Sequence, residues 1–429
     1  MYDVVIIGGG PAASAAGCYL SKAGVSNVLF ESAMHPREHV GESMVTASTR
    51  VFDELGFLPV MESGGFVHKY GATWHAPESR GVFTIRFGEF PQEDIEQDYT
   101  YHVDRAKLDL ELLKHADRLG TQVVQGASVE EVLMDGERAV GVRVAVAGQT
   151  IDVPAKVVVD ASGRRTLLGS QLGLKKKDPL FDQYAVHAWY EDVDRGTEDV
   201  ADNIHIYFLS VERGWAWQIP ITDTITSMGC VAEKSVLKSF GGDASAYFDH
   251  LVTCNANLAK AMAPARRVND FKTEGDYSYS MTRFAGDGYV LVGDAARFVD
   301  PIFSSGVSVA LYSAKFASEA IVAALEADDV GIAAFAGYEK RLRRGVTIWY
   351  EFITLYYKLL PAFTYFIQNK RHRLQVLRLL QGEVFDRDEV PVLDAMREFV
   401  AQVEKDDKHV FSGRLTDLPV ADPAEEPEA

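Results

Sequence analysis

The first 31 residues constrain the fold more than any other part of the chain. Asp3-Val4-Val5-Ile6-Ile7 is a short β-branched run of the kind used by strands buried on both faces. Gly8-Gly9-Gly10-Pro11-Ala12-Ala13 follows, then an Ala-rich helical stretch to Ala23, then a second strand at Val28-Leu29-Phe30-Glu31. Strand, glycine turn, helix and strand within about 30 residues make a βαβ unit. Gly8-x-Gly10-x-x-Ala13 fits the dinucleotide fingerprint. The first glycine permits the tight turn, and the second lets the backbone approach a pyrophosphate. The small third residue lets the helix pack on its strand, with its N-terminus facing the anion. Glu31 stands at a strand end about twenty positions further on, where a carboxylate binds a ribose hydroxyl. By itself the triplet also suits a glycine turn in an ordinary α/β protein.

The middle of the chain has a different period. Residues 66–103 and 184–233 alternate apolar and polar side chains, as in Asn203-Ile204-His205-Ile206-Tyr207-Phe208, which predicts an antiparallel sheet. Between them, residues 107–119 read as a helix, and Val157-Val158-Val159-Asp160 as a strand returning to the nucleotide sheet. Residues 289–294 read as another such strand, followed by a helix from about 306 to 327. The expected organisation is an interleaved unit over 1–345 with an inserted sheet at about 61–103 and 180–284. A helical, aromatic region at 346–415 and a Pro- and Glu-rich, disordered tail at 416–429 complete it.

Composition removes several function classes. The 429 residues carry 43 Lys and Arg against 62 Asp and Glu, a net charge of −19. Nucleic acids and anionic membranes need a basic face, so neither is an expected partner. Cys18, Cys230 and Cys254 form no close pair, so no disulfide framework or zinc site is expected, and a reducing cytoplasmic setting is. The N-terminus starts a strand and shows no signal peptide. The most apolar stretch, 348–367, carries Glu351, Lys358 and Pro361, so it reads as buried helix and not as a membrane span.

Four further segments specify chemistry. Asp160-Ala161-Ser162-Gly163 and Gly293-Asp294-Ala295-Ala296 each follow a strand, and Arg105 opens a helix. With the N-terminal fingerprint they resemble the FAD signature of the aromatic hydroxylase superfamily. That resemblance implies a glutathione-reductase-like α/β fold in which Asp294 meets the ribityl chain or phosphate and Arg105 neutralises the pyrophosphate. Trp215-Ala216-Trp217-Gln218-Ile219-Pro220 matches Trp-x-Trp-x-Ile-Pro, and residues 298–306 match Phe-x-x-Pro-x-x-Ser-x-Gly. On a strand both indoles share one face. By residue type alone they are also ordinary core tryptophans, and Ser304 or Ser305 an ordinary helix N-cap. Lys69 sits in the aromatic stretch Phe66-Val67-His68-Lys69-Tyr70, where Phe66, Lys69 and Tyr70 cannot all face water, although most lysines are solvated charges.

Together these features resemble the flavin-dependent halogenases over residues 2 to about 410, nearest the branch that halogenates pyrrole rings carried as thioesters on peptidyl carrier proteins. The resemblance implies reduced FAD, O2 and chloride or bromide as reactants, with halide near Ser305 and Gly306. It implies Lys69 as the group that takes oxidised halogen to the ring, and Trp215, Trp217 and Pro220 as a shield beside the flavin. Gly8, Gly10, Ala13, Glu31, Arg105, Asp294 and Pro301 are the implied cofactor contacts. Tryptophan-specific members carry a glutamate just before Ser-x-Gly; Phe303 stands here, which implies an electron-rich ring and leaves the substrate base unnamed. A single dinucleotide fingerprint implies a separate NAD(P)H-dependent flavin reductase. An acyl-loaded carrier would dock on basic patches at Lys175–Lys177, Arg341/Arg343/Arg344 or Arg371/His372/Arg373. The open alternatives are a phenolic substrate, an aromatic monooxygenase or prenyl-chain reductase of this fold, or a flavin-binding protein without activity.

Overall fold

The computed structural model describes residues 2–77, 81–92, 95–275, 278–360, 362–385 and 389–419. Its first sheet grows from the βαβ unit. Tyr2–Ile7 lies between Asn27–Glu31 and Gln149–Asp160, both parallel to it, and Gln122–Gln125 and Tyr289–Leu291 extend the parallel order on either side. Val4, Val5, Ile6 and Val157 to Val159 are wholly buried, as two-sided cover requires. Pro11–Lys22 begins with Pro11 in its first turn and buries Ala12, Ala13, Ala15 and Ala16. Those small side chains let it pack closely on Arg105–Leu119 and on the long helix Ser305–Glu326.

The second sheet is mixed, which corrects the antiparallel expectation. Gln183–Glu191, Thr226–Glu233, Trp215–Pro220 and Ile204–Phe208 run antiparallel in that order. Ile204–Phe208 then pairs in parallel with Gly71–His75, because the chain enters that strand from the first half of the molecule and not through a hairpin. Val67–Lys69 stays outside this sheet and forms a two-stranded ladder with Thr100–His102, with Lys69 opposite Thr100.

The C-terminal part is helical from Ala336, with Ala336–Lys358 burying Trp349, Phe352, Tyr356 and Tyr357. The stretch 348–367 is buried as read. Glu351 pairs with Arg397 and Lys358 with Glu404, while Pro361 lies outside the described residues, as does the expected tail beyond 419. Among the described residues one helix, Ser305–Glu326, is long and apolar enough to cross a membrane, and 72% of its apolar window is buried in the protein. It is a core helix.

Candidate active site

A cavity of about 460 Å³ lies between the two sheets and collects most of the residues singled out in the sequence. Gly8, Gly10, Glu31, Arg105, Asp294, Pro301, Trp215, Trp217 and Gly306 all border it. Gly8 has φ +106°, and a Cβ there would stand 2.5 Å from the Ala161 carbonyl oxygen. Gly10 caps the helix with no side-chain hydrogen bond, leaving first-turn N–H groups free toward the cavity. Gly9, absent from the fingerprint reading, matters as much: a Cβ would meet the Glu31 side chain at 2.8 Å. Glu31 Oε1 accepts from the Ala33 N–H at 2.7 Å, which holds the carboxylate at the strand end. These features fit an adenine dinucleotide.

Four arginines, Arg37, Arg105, Arg164 and Arg165, border the cavity, and they are not equivalent. Arg105 is buried and bidentate on Asp109, with Nε–Oδ1 2.8 Å and Nη2–Oδ2 2.9 Å, and its Nη1 donates to the Val40 carbonyl. Arg164 pairs with Glu274. Among the described residues Arg37 pairs only with Asp109, at 3.9 Å, and its Nη2 stands 3.6 Å from where a Gly10 Cβ would be, over the helix start. Sequence reasoning chose Arg105 and missed Arg37, which lies in a loop with no periodic signal. Asp294 is half-buried, and its desolvation pushes the carboxyl up to about 6 against the opposing pull of Arg105 and Arg164.

At the other end Trp215 and Trp217 project from one face of their strand, ring centroids 5.7 Å apart and inclined at 45°. The opposite face carries Ala216 and Gln218, and Gln218 accepts from the Tyr207 hydroxyl. Pro220 ends the strand, buried opposite Thr226, but does not reach the cavity wall; Ile219 does. Ala13 is likewise buried beneath the turn and serves packing alone. The serines also differ from expectation. Ser304, with φ +58°, is the N-cap residue but forms no side-chain cap, and it borders the cavity in place of Ser305, whose side chain is buried. Phe303 is stacked on Phe352 at 4.6 Å and set edge-on to Tyr356 at 4.8 Å. Its ring is part of an aromatic cluster, so no carboxylate stands at this position.

Lys69 does not border the cavity, yet it is close and dry. It is 3% exposed, donates to the Met44 carbonyl at 2.7 Å, and lies 5.5 Å from the Phe87 ring centroid. Among the described residues no carboxylate pairs with it, and burial alone brings its ammonium down to about 7. His102, across the ladder, is kept neutral by burial and by the facing Lys69. The loop Val40–Met44 runs between the two regions: Glu42 and Ser43 face the cavity, and Met44 holds the lysine.

This fold and cavity define an FAD-dependent oxidoreductase. Residues 3–170 match the model of the FAD-dependent oxidoreductases, and residues 91–373 match that of the tryptophan halogenases. The chain is 45% identical to a 1H-pyrrole-2-carbonyl-[peptidyl-carrier protein] chlorinase of Pseudomonas fluorescens over 99% of both chains. It is 31% identical to the corresponding brominase of Pseudoalteromonas luteoviolacea over 90% of this chain and 93% of that one. Among solved structures, the flavin-dependent brominase Bmp2 superposes with TM-score 0.85 at 32% identity, covering 94% of this chain and 99% of Bmp2. The chain belongs to the tryptophan halogenase family and is a flavin-dependent halogenase, using FAD, O2 and halide.

Proposed function

We propose that this enzyme halogenates a pyrrole-2-carboxyl group held as a thioester on a peptidyl carrier protein. The observation that carries the reading is a dry lysine amine, poised near neutrality, one loop away from the flavin cavity. The pyrrolyl-carrier activities named for its relatives support the same choice. When bound, reduced FAD would give O2 two electrons and the halide would give it the other two, so that oxidised FAD, hypohalous acid and water result. The N–H groups at the start of Ser305–Glu326 favour the halide, with Gly306 and Ser304 bordering its place. Trp215 and Trp217 fill the space beside them, so that the ring is kept from the flavin. Lys69 then holds the oxidised halogen by hydrogen bond, or takes it as a haloamine with loss of water, and passes it to the pyrrole. The test is mass spectrometry of a pyrrolyl-loaded carrier protein after incubation with a flavin reductase, NADH, FAD, O2 and either halide. A halogen isotope doublet on the acyl group is expected; a hydroxylated acyl group in its place would overturn the reading.

Arg37 and Arg105 divide the work at the pyrophosphate end. Arg37→Ala is expected to weaken FAD binding about tenfold to a hundredfold, the value of one or two charge-assisted hydrogen bonds, without changing stability. Arg105→Ala leaves Asp109 buried and uncompensated, and is expected to destabilise the fold by about 3–5 kcal/mol. Flavin fluorescence titration and thermal unfolding separate the two.

Of the three basic patches, one suits an acidic carrier. Arg341 and Arg343 are paired to Glu319 and Glu339, and Arg344 donates to the Phe385 carbonyl. Lys175 covers the Tyr279 ring and Lys177 pairs with Asp182. On the helix Lys370–Leu380, Lys370 and Arg371 are exposed beside Tyr365 and Leu374, which are 45% and 47% exposed. Arg373 of this helix grips Glu89, next to the Phe87 that covers Lys69. Reversing Lys370 and Arg371 to glutamate is expected to raise KM for the loaded carrier about tenfold, the sum of two exposed ion pairs. Turnover of a small pyrrolyl thioester should stay as it was.

A further inference from the structure

His102 is wholly buried, and among the described residues neither of its ring nitrogens has a hydrogen-bond partner. Ser43 is 5% exposed and borders the cavity, and its hydroxyl also lacks a partner among the described residues. Strand register brings the two together. Ser43 stands opposite His102 in an antiparallel bridge, framed by Met44 N–H to the Tyr101 carbonyl at 3.1 Å and Val103 N–H to the Glu42 carbonyl at 2.8 Å. On the other side of the same strand, His102 is opposite Val67 and Lys69 is opposite Thr100. Residues directly opposed in a ladder share a face, as do residues two apart along one strand. Ser43, His102 and Lys69 therefore lie on one face of three adjacent strands. Lys69 reaches across the middle strand to donate to the carbonyl of Met44, the residue after Ser43. The row runs from the cavity wall to the amine. Buried donors and acceptors left unpaired weaken a fold, so several in one row point to a ligand that completes them.

We propose that Ser43 and His102 are the two stations through which hypohalous acid passes from the flavin cavity to Lys69. The acid is small and neutral, with one O–H to donate and oxygen lone pairs to accept. A neutral imidazole offers one N–H and one lone pair, and a hydroxyl likewise donates and accepts, so either station can hold the acid by both functions. Burial, with Lys69, Arg195 and His205 facing the ring, keeps a second proton off His102. The Asp202 carbonyl faces the ring from the other direction without completing a hydrogen bond. The lone pair therefore stays available. No bond to halogen forms on the way, and the acid reaches the amine intact.

The route rests on the reading of Lys69 as the halogen carrier, and the test keeps the two apart. Halogenated product and hypohalous acid caught by a diffusible trap are measured together in wild type, His102→Leu, His102→Gln, Ser43→Ala and Lys69→Met. Expressed as product per halide oxidised, the result is independent of flavin loading. His102→Leu removes both hydrogen-bonding functions and is expected to lower that proportion about tenfold to a hundredfold. Ser43→Ala should lower it about two- to tenfold, the value of one hydrogen bond. His102→Gln keeps a donor and an acceptor and should recover part of the loss. Unfolding midpoints give the readout that a structural role would not produce. Leucine leaves no unpaired polar group in a dry site, so His102→Leu should be the more stable of the two histidine variants and the poorer in transfer. A purely structural histidine would rank stability and transfer in the same order, and that result overturns the route. Wild-type proportions in His102→Leu and Ser43→Ala, with Lys69→Met inactive, also overturn it and leave the carrier reading intact. Product from Lys69→Met overturns both. Ser43→Ala removes only a hydroxyl, so it carries the test if the histidine variants fail to fold.

Discussion

Lys69→Ala is expected to lower halogenated product by on the order of a thousandfold or more, the scale set by loss of a group that acts on the reacting atoms. FAD affinity should remain at the wild-type level, because the lysine does not border the cavity. Lys69→Arg should not rescue activity, since a guanidinium stays charged and cannot present a free amine. Folding gives the control. The amine is buried without a carboxylate partner, and its value lies near 7 in place of 10.5. A buried ammonium disfavours the fold: the stability tied to this group is greatest above the unfolded value near 10.5 and is lost as pH falls toward about 7. Lys69→Met should therefore be more stable than wild type at neutral pH by roughly 2–4 kcal/mol, less what the orphaned Met44 carbonyl gives back. Thermal unfolding at two pH values, beside the product assay, checks both signs. An inactive variant that is more stable and fully flavinated separates chemistry from misfolding. If Lys69→Met retains wild-type turnover, the amine is not the halogen carrier.

The second large effect is at a glycine. Gly229 stands opposite Trp217 in the neighbouring strand, and a Cβ there would lie 2.1 Å from Cζ2 and 2.4 Å from Cε2 and Cη2 of that indole. An indole is rigid, so it cannot yield by a small rotation as a flexible side chain would. Gly229→Ala should drive the ring out of its place, break its hydrogen bond to Ser227, and destabilise the protein by about 1–3 kcal/mol, the usual range for overpacking. The proportion of oxidised halide reaching the ring should fall with it. Gly229→Ala combined with Trp217→Val removes the clash and should recover stability without recovering that proportion. Unfolding midpoints and the product-to-trapped-halogen ratio read the two consequences separately.

The motifs that could be read in the chain are those whose chemistry is local. The glycine turn, the strand before it and Glu31 after it lie within one βαβ unit, so short-range spacing determines their meeting. Trp215 and Trp217 share a face because a strand alternates, whatever surrounds it. The same logic failed where position depends on distant partners. Ser304 and not Ser305 borders the cavity because a left-handed residue turns the chain just before the helix. The parallel pairing of Ile204–Phe208 with Gly71–His75 joins segments about 130 residues apart, beyond what alternation can specify.

The amino-acid order alone thus determined the flavin fold, the paired indoles and a lysine out of keeping with its aromatic surroundings, since each follows from periodicity or from a contiguous motif. Only the folded arrangement decided that Lys69 is dry and one loop from the cavity, and that Arg105 is bidentate on Asp109 while Arg37 meets the same carboxylate only at 3.9 Å. These are facts of desolvation and of pairing between segments far apart in the chain, and burial is a property that no single segment carries by itself.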